Sequence, residues 1–446
     1  MKLLIGLDIG TTAIKGVLMT EAGTILKTVS GGYHYIIRDN KKLLDPAEFT
    51  DVCLSVIRSL AACAPAGDAV AAICSCCASG NLILLDKENR PVTPIIGWQT
   101  AVSAEDRNAF FSKEEQQAFY KTVGWPLSAH FPALYLAEIK LHEPQLLDKT
   151  ETVAMSAEYL NFQLTGKWGL TVSMGTPSYL LDQEKERYNE PLLRKLGVAD
   201  KKLPPVFAKG TVLGNVLPAM AEKLNLSPET AVVLGTFDHP SGAMGAGVFD
   251  EGEMLLSCGT SWVEFFPVPS RAFAISTKGL VDRFMLNGAP YCVMKSIASI
   301  SEKIDALRRQ FLGEITHREF DELAQKAPFG CHGLRFTFTE EDREIHTSCS
   351  KSDAARAIIE SAAFKLKDNL AALEQSGLKA NKVTMIGGIS NSPVCVGIVS
   401  EVLEKPISVV NGQCAGAAGS CMLAGIGIGL YRDERDAFAH FAEGNR

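Results

Sequence analysis

Two short turns rich in glycine and hydroxyl side chains, each following an apolar run that reads as a strand, constrain this chain most. One is Gly10-Thr11-Thr12 after Leu3-Leu4-Ile5-Gly6-Leu7-Asp8-Ile9; the other is Gly259-Thr260-Ser261 after Met254-Leu255-Leu256-Ser257-Cys258. A Gly-Thr turn lets backbone N–H groups converge on an anion with no Cβ in the way, and the hydroxyls add donors at little steric cost. The pair reads as two phosphate-binding turns serving one nucleotide. Asp8, just before the first turn, is placed to hold a magnesium ion directly or through water, and Lys15 to meet phosphate charge. Two ordinary hairpins in an α/β protein are the simpler alternative.

The chain has 446 residues, beyond the size one hydrophobic core serves. That implies two domains of about 200 residues each, with the ligand site in a cleft between them. Apolar residues make up 46% and charged residues 21%, which is globular rather than disordered composition. A net charge of −7 disfavours nucleic acid as a partner. Lys2 and the apolar residues after it begin like a secretory signal, but Asp8 and Gly10 interrupt the run. No stretch approaches the ~18 apolar residues of a membrane helix. The expectation is a cytoplasmic protein without a membrane partner. Twelve cysteines in such a chain read as small buried side chains rather than a disulfide framework. Cys74, Cys76 and Cys77 have no second pair to complete a zinc site.

The opening predicts a meander of strands over 3–8, 13–20 and 25–29, with the phosphate turn in its first bend. Asp45-Pro46-Ala47-Glu48 carries the cap, proline and acidic first turn of a helix. Residues 70–75 and 81–85 read as short buried strands, and 112–164 as mainly helical. Residues 231–235 form a buried strand that delivers Thr236-Phe237-Asp238 into a loop, and the small-residue run 242–247 follows. The domain junction is placed here, giving domains 1–241 and 242–446. The second half repeats strand, Gly-Thr turn and strand, the sign of a duplicated fold. A helix over 352–375, strand 382–386, turn Gly387-Gly388, helix 393–403, strand 407–410 and a small-residue helix 415–424 follow, so each sheet is covered by helices.

The opening strand-Asp-x-Gly-Thr-Thr-x-x-x-Lys, the Cys-Gly-Thr-Ser turn and the late Gly-Gly-x-x-x-Ser turn, in this order, resemble the FGGY family of carbohydrate kinases. Leu164-Thr165-Gly166, Leu203-Pro204-Pro205, Gly235-x-x-Asp238 and Gly416-Ala417-Ala418 extend the resemblance over nearly the whole chain. It implies an α/β fold of two actin-like, ribonuclease H-like ATPase domains, each a mixed sheet flanked by helices, with an interdomain cleft. It also implies xylulokinase-like activity: ATP, with Mg²⁺, phosphorylating a hydroxyl of a ketose or sugar alcohol. Under the resemblance Asp238 is the catalytic base and Asp8 the metal-associated aspartate. Gly10, Thr11, Thr12, Lys15, Gly259, Thr260 and Ser261 meet phosphate; Gly387, Gly388, Asn391 and Ser392 lie on the adenosine side. Ser79, Gly80, Trp98, Asp238 and His239 face the sugar, Trp98 covering its C–H surface. The resemblance leaves a homodimer open.

The chain departs from the family on the sugar side. Cys76-Cys77-Ala78-Ser79-Gly80-Asn81 stands where many members carry Ser-Gly-Gln or Gln-Arg-Glu, and Trp98-Gln99 is followed by Thr100-Ala101-Val102-Ser103 without the usual charged residues. These changes point to a different, smaller or modified acceptor. The competing expectation is a nucleotide-binding regulatory protein on the same scaffold with little sugar turnover.

Overall fold

Leu3, Leu4, Ile5 and Leu7 are wholly inaccessible in the computed structural model, as a strand buried on both faces requires. The model describes residues 1–286, 288–339, 342, 349–410 and 414–445. The strand is β1 (Lys2–Ile9), followed by β2 (Ala13–Thr20) and β3 (Ile25–Gly32). Helix α1 (Pro46–Ala61) starts where Asp45 accepts the Ala47 N–H at 2.8 Å and Pro46 occupies the first turn. The sheet is completed by β4 (Ala69–Cys77), β5 (Val212–Asn215) and β6 (Ala231–Phe237), in the order β5-β6-β4-β1-β2-β3. β1, β4 and β6 are parallel; β2, β3 and β5 run against their neighbours. The chain does not enter a loop after β6, because Asp238 is already the first residue of α2 (Asp238–Gly245).

A second sheet uses the same plan. β7 (Glu253–Cys258) and β8 (Trp262–Val268) form an antiparallel hairpin, and β9 (Tyr291–Ile297) lies beyond β8. After the long helix α3 (Lys351–Gln375) come β10 (Lys382–Gly387), α4 (Pro393–Leu403) and β11 (Ile407–Val409). β10 is parallel to β7, and β11 to β10. This sheet also has six strands, with Leu280–Arg283 at its edge beyond β9; the order β9-β8-β7-β10-β11 of the other five matches β3-β2-β1-β4-β6 of the first sheet, which is the duplication expected from the repeated turns.

The contacts divide the chain into two compact units. The first holds Met1–Gly247, Leu280–Tyr291 and the described residues from Cys414 onward; the second holds Val248–Gly279 and the described residues between 292 and 410. The linear division at 241/242 does not describe these units. It would cut through α2, and it separates the N-terminal sheet from its covering helix α5 (Ala415–Gly427). That helix packs on β1, β4 and β6 and against α2. Small residues make the approach possible: a Cβ on Gly6 would overlap the Ala417 carbonyl, and one on Gly419 the Ser241 carbonyl. Ser241 Oγ donates to the Gly416 carbonyl at 2.8 Å, and Ser420 Oγ to the Leu7 carbonyl at 3.1 Å. All twelve cysteines are free thiols, most of them buried.

The backbone of α2 cannot retreat without losing those bonds. Gly419→Ala is therefore expected to destabilise the first unit by about 3 kcal/mol, read as a lowered midpoint in denaturant unfolding of the full chain. An unchanged midpoint contradicts the close approach.

Candidate active site

Parallel strands bring their carboxyl ends to one edge of a sheet, and ligands of open α/β sheets bind there. Asp8 lies near that end of β1, in register with Cys76 of β4, and Asp238 follows β6. β4 separates β1 from β6, so the two aspartates start about 10 Å apart in backbone terms and reach toward each other across one strand. Between them the Cys76 thiol donates weakly to Asp8 Oδ1 at 3.7 Å. Gly416 of α5 lies beside Asp8; a Cβ there would sit 2.8 Å from Asp8 Oδ2.

The surroundings shift all three titratable groups. Burial pushes the Asp238 carboxyl up to about 7, against the pull of the His239 N–H, which donates to Asp238 Oδ1 at 2.8 Å. Although 24% of the Asp238 side chain stays accessible, protein crowds it closely enough for the loss of hydration to dominate. Burial, then the neighbouring Asp238, raises Asp8 to about 6, while Lys15, the Cys76 thiol and His239 pull it back. Burial lowers His239 to about 4 against the attraction of Asp8, so its imidazole is neutral at pH 7.

A hard divalent cation takes one or two carboxylates and completes its shell with water and phosphate oxygens. Two recessed carboxyls, with no side chain on Gly416 to cover Asp8 Oδ2, form a donor set of that kind. Among the described residues no group of three or more His, Cys, Asp or Glu converges as a protein-only metal cage. The site therefore fits a cation that keeps most of its ligands from elsewhere.

The first Gly-Thr turn is held from behind. Gly10 N–H donates to the Ala13 carbonyl at 3.0 Å, and the Gly10 carbonyl accepts the Tyr33 hydroxyl. Thr12 and Lys15 are exposed, and Lys15 stands opposite Asp8 in the β1–β2 pairing. Trp98 joins this turn, its Nε1–H donating to Thr11 Oγ1 at 3.0 Å. Tyr135 fixes the Trp98 loop: its hydroxyl lies 2.9–3.2 Å from the carbonyls of Gly97, Trp98 and Thr100, and its one proton is nearest the Thr100 carbonyl at 2.9 Å. Ser79 turns the other way: its hydroxyl is buried and donates to the Met174 carbonyl at 2.6 Å. It anchors Gly80 and is not a substrate donor in this conformation. Asn81 is likewise spent on Ser156, accepting its N–H at 2.7 Å and donating to its hydroxyl at 2.9 Å.

Gly80 has φ +94°, and a Cβ there would strike the Phe131 ring; Phe131 itself has φ +88°. A bulky residue held in that region marks a locally over-determined, commonly functional, stretch. From Phe131 an edge-to-face series runs through Trp125 and Phe237 to the His239 ring, with centroids 5.2–5.6 Å apart. Sequence reasoning missed Cys76, Tyr33, Trp125 and Phe131. Only the glycine preceding Asn81 hinted at such crowding.

In the second unit, the turn after β7 is braced by serines. Ser301 Oγ donates to the Gly259 carbonyl at 2.7 Å, Ser301 N–H to the Thr260 carbonyl at 3.2 Å, and Ser299 N–H to Ser261 Oγ at 3.1 Å. Gly387, with φ +103°, lies so close to the Cys258 carbonyl that no side chain fits, which draws the 387–388 turn beside the 259–261 turn. Gly259, Gly388 and Asn391 are exposed, and open space surrounds the position a Gly388 Cβ would take. Ser392 has a scaffold role: it caps α4 by accepting the Cys395 N–H at 3.0 Å and donates to Asp321 at 2.8 Å.

Comparison with known proteins agrees with this plan. Residues 3–245 match the N-terminal domain, and 254–428 the C-terminal domain, of the FGGY family of carbohydrate kinases. Xylulose kinase of Staphylococcus epidermidis is 22% identical, the match spanning 97% of this chain and 89% of that protein. Autoinducer-2 kinase of Yersinia enterocolitica is 25% identical, spanning 96% and 87%. The crystal structure of ligand-bound xylulose kinase from Lactobacillus acidophilus superposes with a TM-score of 0.89 at 22% identity, covering 99% of this chain and 92% of that one. None of these favours a regulatory protein without turnover. Matched end to end in both halves, and folded in the same two-sheet plan, the chain belongs to the FGGY family of carbohydrate kinases.

Proposed function

We propose that this carbohydrate kinase transfers the γ-phosphoryl group of ATP to a hydroxyl of a ketose or sugar alcohol, in the manner of a xylulokinase, with Asp238 as general base. The observation that carries the reading is a carboxyl held near neutrality, at about 7, at the carboxyl end of a parallel strand beside a second aspartate. Phosphoryl transfer asks a protein mainly to position an in-line attack and to stabilise charge. Asp238 Oδ1 is occupied by the His239 N–H, which leaves Oδ2 to accept the acceptor hydroxyl's proton as the new O–P bond forms. A base whose pKa lies close to working pH is well matched to that task. Neutral His239 offers a hydrogen bond without adding charge.

Gly10, Thr11, Thr12 and Lys15 in the first unit, and Gly259, Thr260 and Ser261 in the second, are assigned to phosphate; Gly387, Gly388 and Asn391 to the adenosine side, with Ser392 supporting that turn. Trp98 and Gly80 are assigned to the acceptor, Trp98 through its ring face because its N–H already serves Thr11. Mg²⁺ would be held by Asp8 with Asp238 beside it, and when bound supplies positive charge against the phosphates. The relatives' names span xylulose and autoinducer-2, and in this chain the Ser79 and Asn81 side chains are turned inward, away from an acceptor role. A coupled ADP-release assay over a panel of ketoses and polyols tests the reading; no acceptor-dependent turnover anywhere in the panel refutes it.

Two outcomes follow for Asp238. Asp238→Asn is expected to lower kcat by about 10³-fold with ATP affinity within about twofold, and the wild-type kcat/KM profile should fall on the acid side of about pH 7. Full turnover by the variant removes the base from Asp238.

Stability gives a separate readout. Between its ordinary 3.8 and about 7, the Asp238 carboxyl keeps a proton in the folded chain that the unfolded chain has released, so its contribution to stability is lost as pH rises through that window. His239 acts oppositely between about 4 and 6.5, where the unfolded chain binds the extra proton. Asp238→Asn is thus expected to raise the melting temperature near pH 8 and to lose that gain near pH 4. A gain independent of pH contradicts the assignment.

A further inference from the structure

The peptide that carries Asp238 is gripped by hydroxyl groups away from the recess. Thr171 Oγ1 donates to the Gly235 carbonyl at 2.9 Å, and two residues on, Ser173 Oγ accepts the Phe237 N–H at 3.2 Å. Thr236 Oγ1 donates to the Phe237 carbonyl at 2.9 Å. Both peptide planes flanking Phe237 are therefore pinned immediately before the carboxylate. The Ser173 hydroxyl holds its orientation because its own proton goes to Asp282 Oδ2 at 2.9 Å. Asp282 is in turn fixed by the Arg283 N–H, which donates to Oδ1 at 2.7 Å.

Ser173 and Asp282 are almost fully buried, at 2% and 0% exposure. An acid buried this deeply is costly unless its bonds are specific. Asp282 lies on the strand Leu280–Arg283, which clusters with the first unit although residues 248–279, of the second, precede it. The chain thus returns to the first unit and places a carboxyl behind the end of β6.

We propose that Asp282, acting through the Ser173 hydroxyl, is a positioning residue that sets the backbone of Phe237 and so the direction of the Asp238 carboxylate. Neither side chain touches the reactants. The hydroxyl is a two-sided link: it can receive the Phe237 N–H with a fixed lone pair only while its proton has an acceptor, so losing either partner frees the same peptide. This inference rests on Asp238 being the base.

The test uses the full chain with ATP and the fastest acceptor of a ketose and polyol panel that includes D-xylulose, together with crystal structures of the variants. Ser173→Ala and Asp282→Ala are each expected to lower kcat by about 10²-fold, with KM for ATP within about twofold and melting transitions that show folded chains. Asp282→Asn, whose one amide oxygen can still receive the Ser173 proton at the expense of the Arg283 N–H contact, should recover part of that loss. In the Ser173→Ala crystal the Asp238 carboxyl should move by about 1 Å. Retention of kcat by Ser173→Ala, an equal loss in Asp282→Asn and Asp282→Ala, or an unmoved Asp238 carboxyl overturns the proposal. If no acceptor is turned over by the wild type, the kinase reading fails, while the carboxyl position in the crystal still decides whether Ser173 and Asp282 place that side chain.

Discussion

The parallel run of β1 and β6 on either side of β4 is the constraint from which the candidate chemistry follows. It delivers Asp8 and Asp238 to the same end of the sheet, where side chains can meet above strands whose own backbone groups are satisfied. Antiparallel pairing at either position would send one carboxyl to the opposite edge. Because the strands are central, the carboxyls emerge from an apolar interior rather than from a solvated rim, and their raised pKa values are the electrostatic result. The same burial that raises the Asp238 carboxyl is a burden on the fold above neutral pH. The proposed base therefore sits where the resting chain would gain from having no acid at all.

Much of this arrangement is legible in the sequence, for identifiable physical reasons. Asp45-Pro46 announces its helix because capping is local, and Pro393–Leu403 begins and ends where a proline and an apolar pattern say it should. The two Gly-Thr turns declare themselves because little else follows a buried strand with those residues. The link from β6 straight into α2 was not legible: Thr236-Phe237-Asp238 has turn-like composition, and only the continued pairing of Phe237 with Cys77 carries the strand through.

Side-chain commitments were the least readable. Ser79 looks like a substrate donor in a list of residues, and Asn81 ends the same segment, yet their partners, Met174 and Ser156, are 95 and 75 positions away. Ser173 and Asp282 are similar: 109 residues separate them, and neither lies in a motif. That α5 clusters with the first unit was not legible for the same reason, since Gly6, which admits α5 against β1, is matched to the Ala417 carbonyl some 400 residues distant. Periodicity reports which face of an element is buried, not what it is buried against.

The placement of α5 also bears on the order in which this molecule can assemble. β1 precedes α5 by some 400 residues, so during synthesis Gly6 and Leu7 lack the helix that covers them until that whole intervening stretch has been made. Contacts of such long sequence separation form slowly, and an uncovered central strand is prone to mispairing in the interval. Closure of the first unit therefore waits on residues that follow the second unit's in the chain, a built-in demand for protection of the nascent chain.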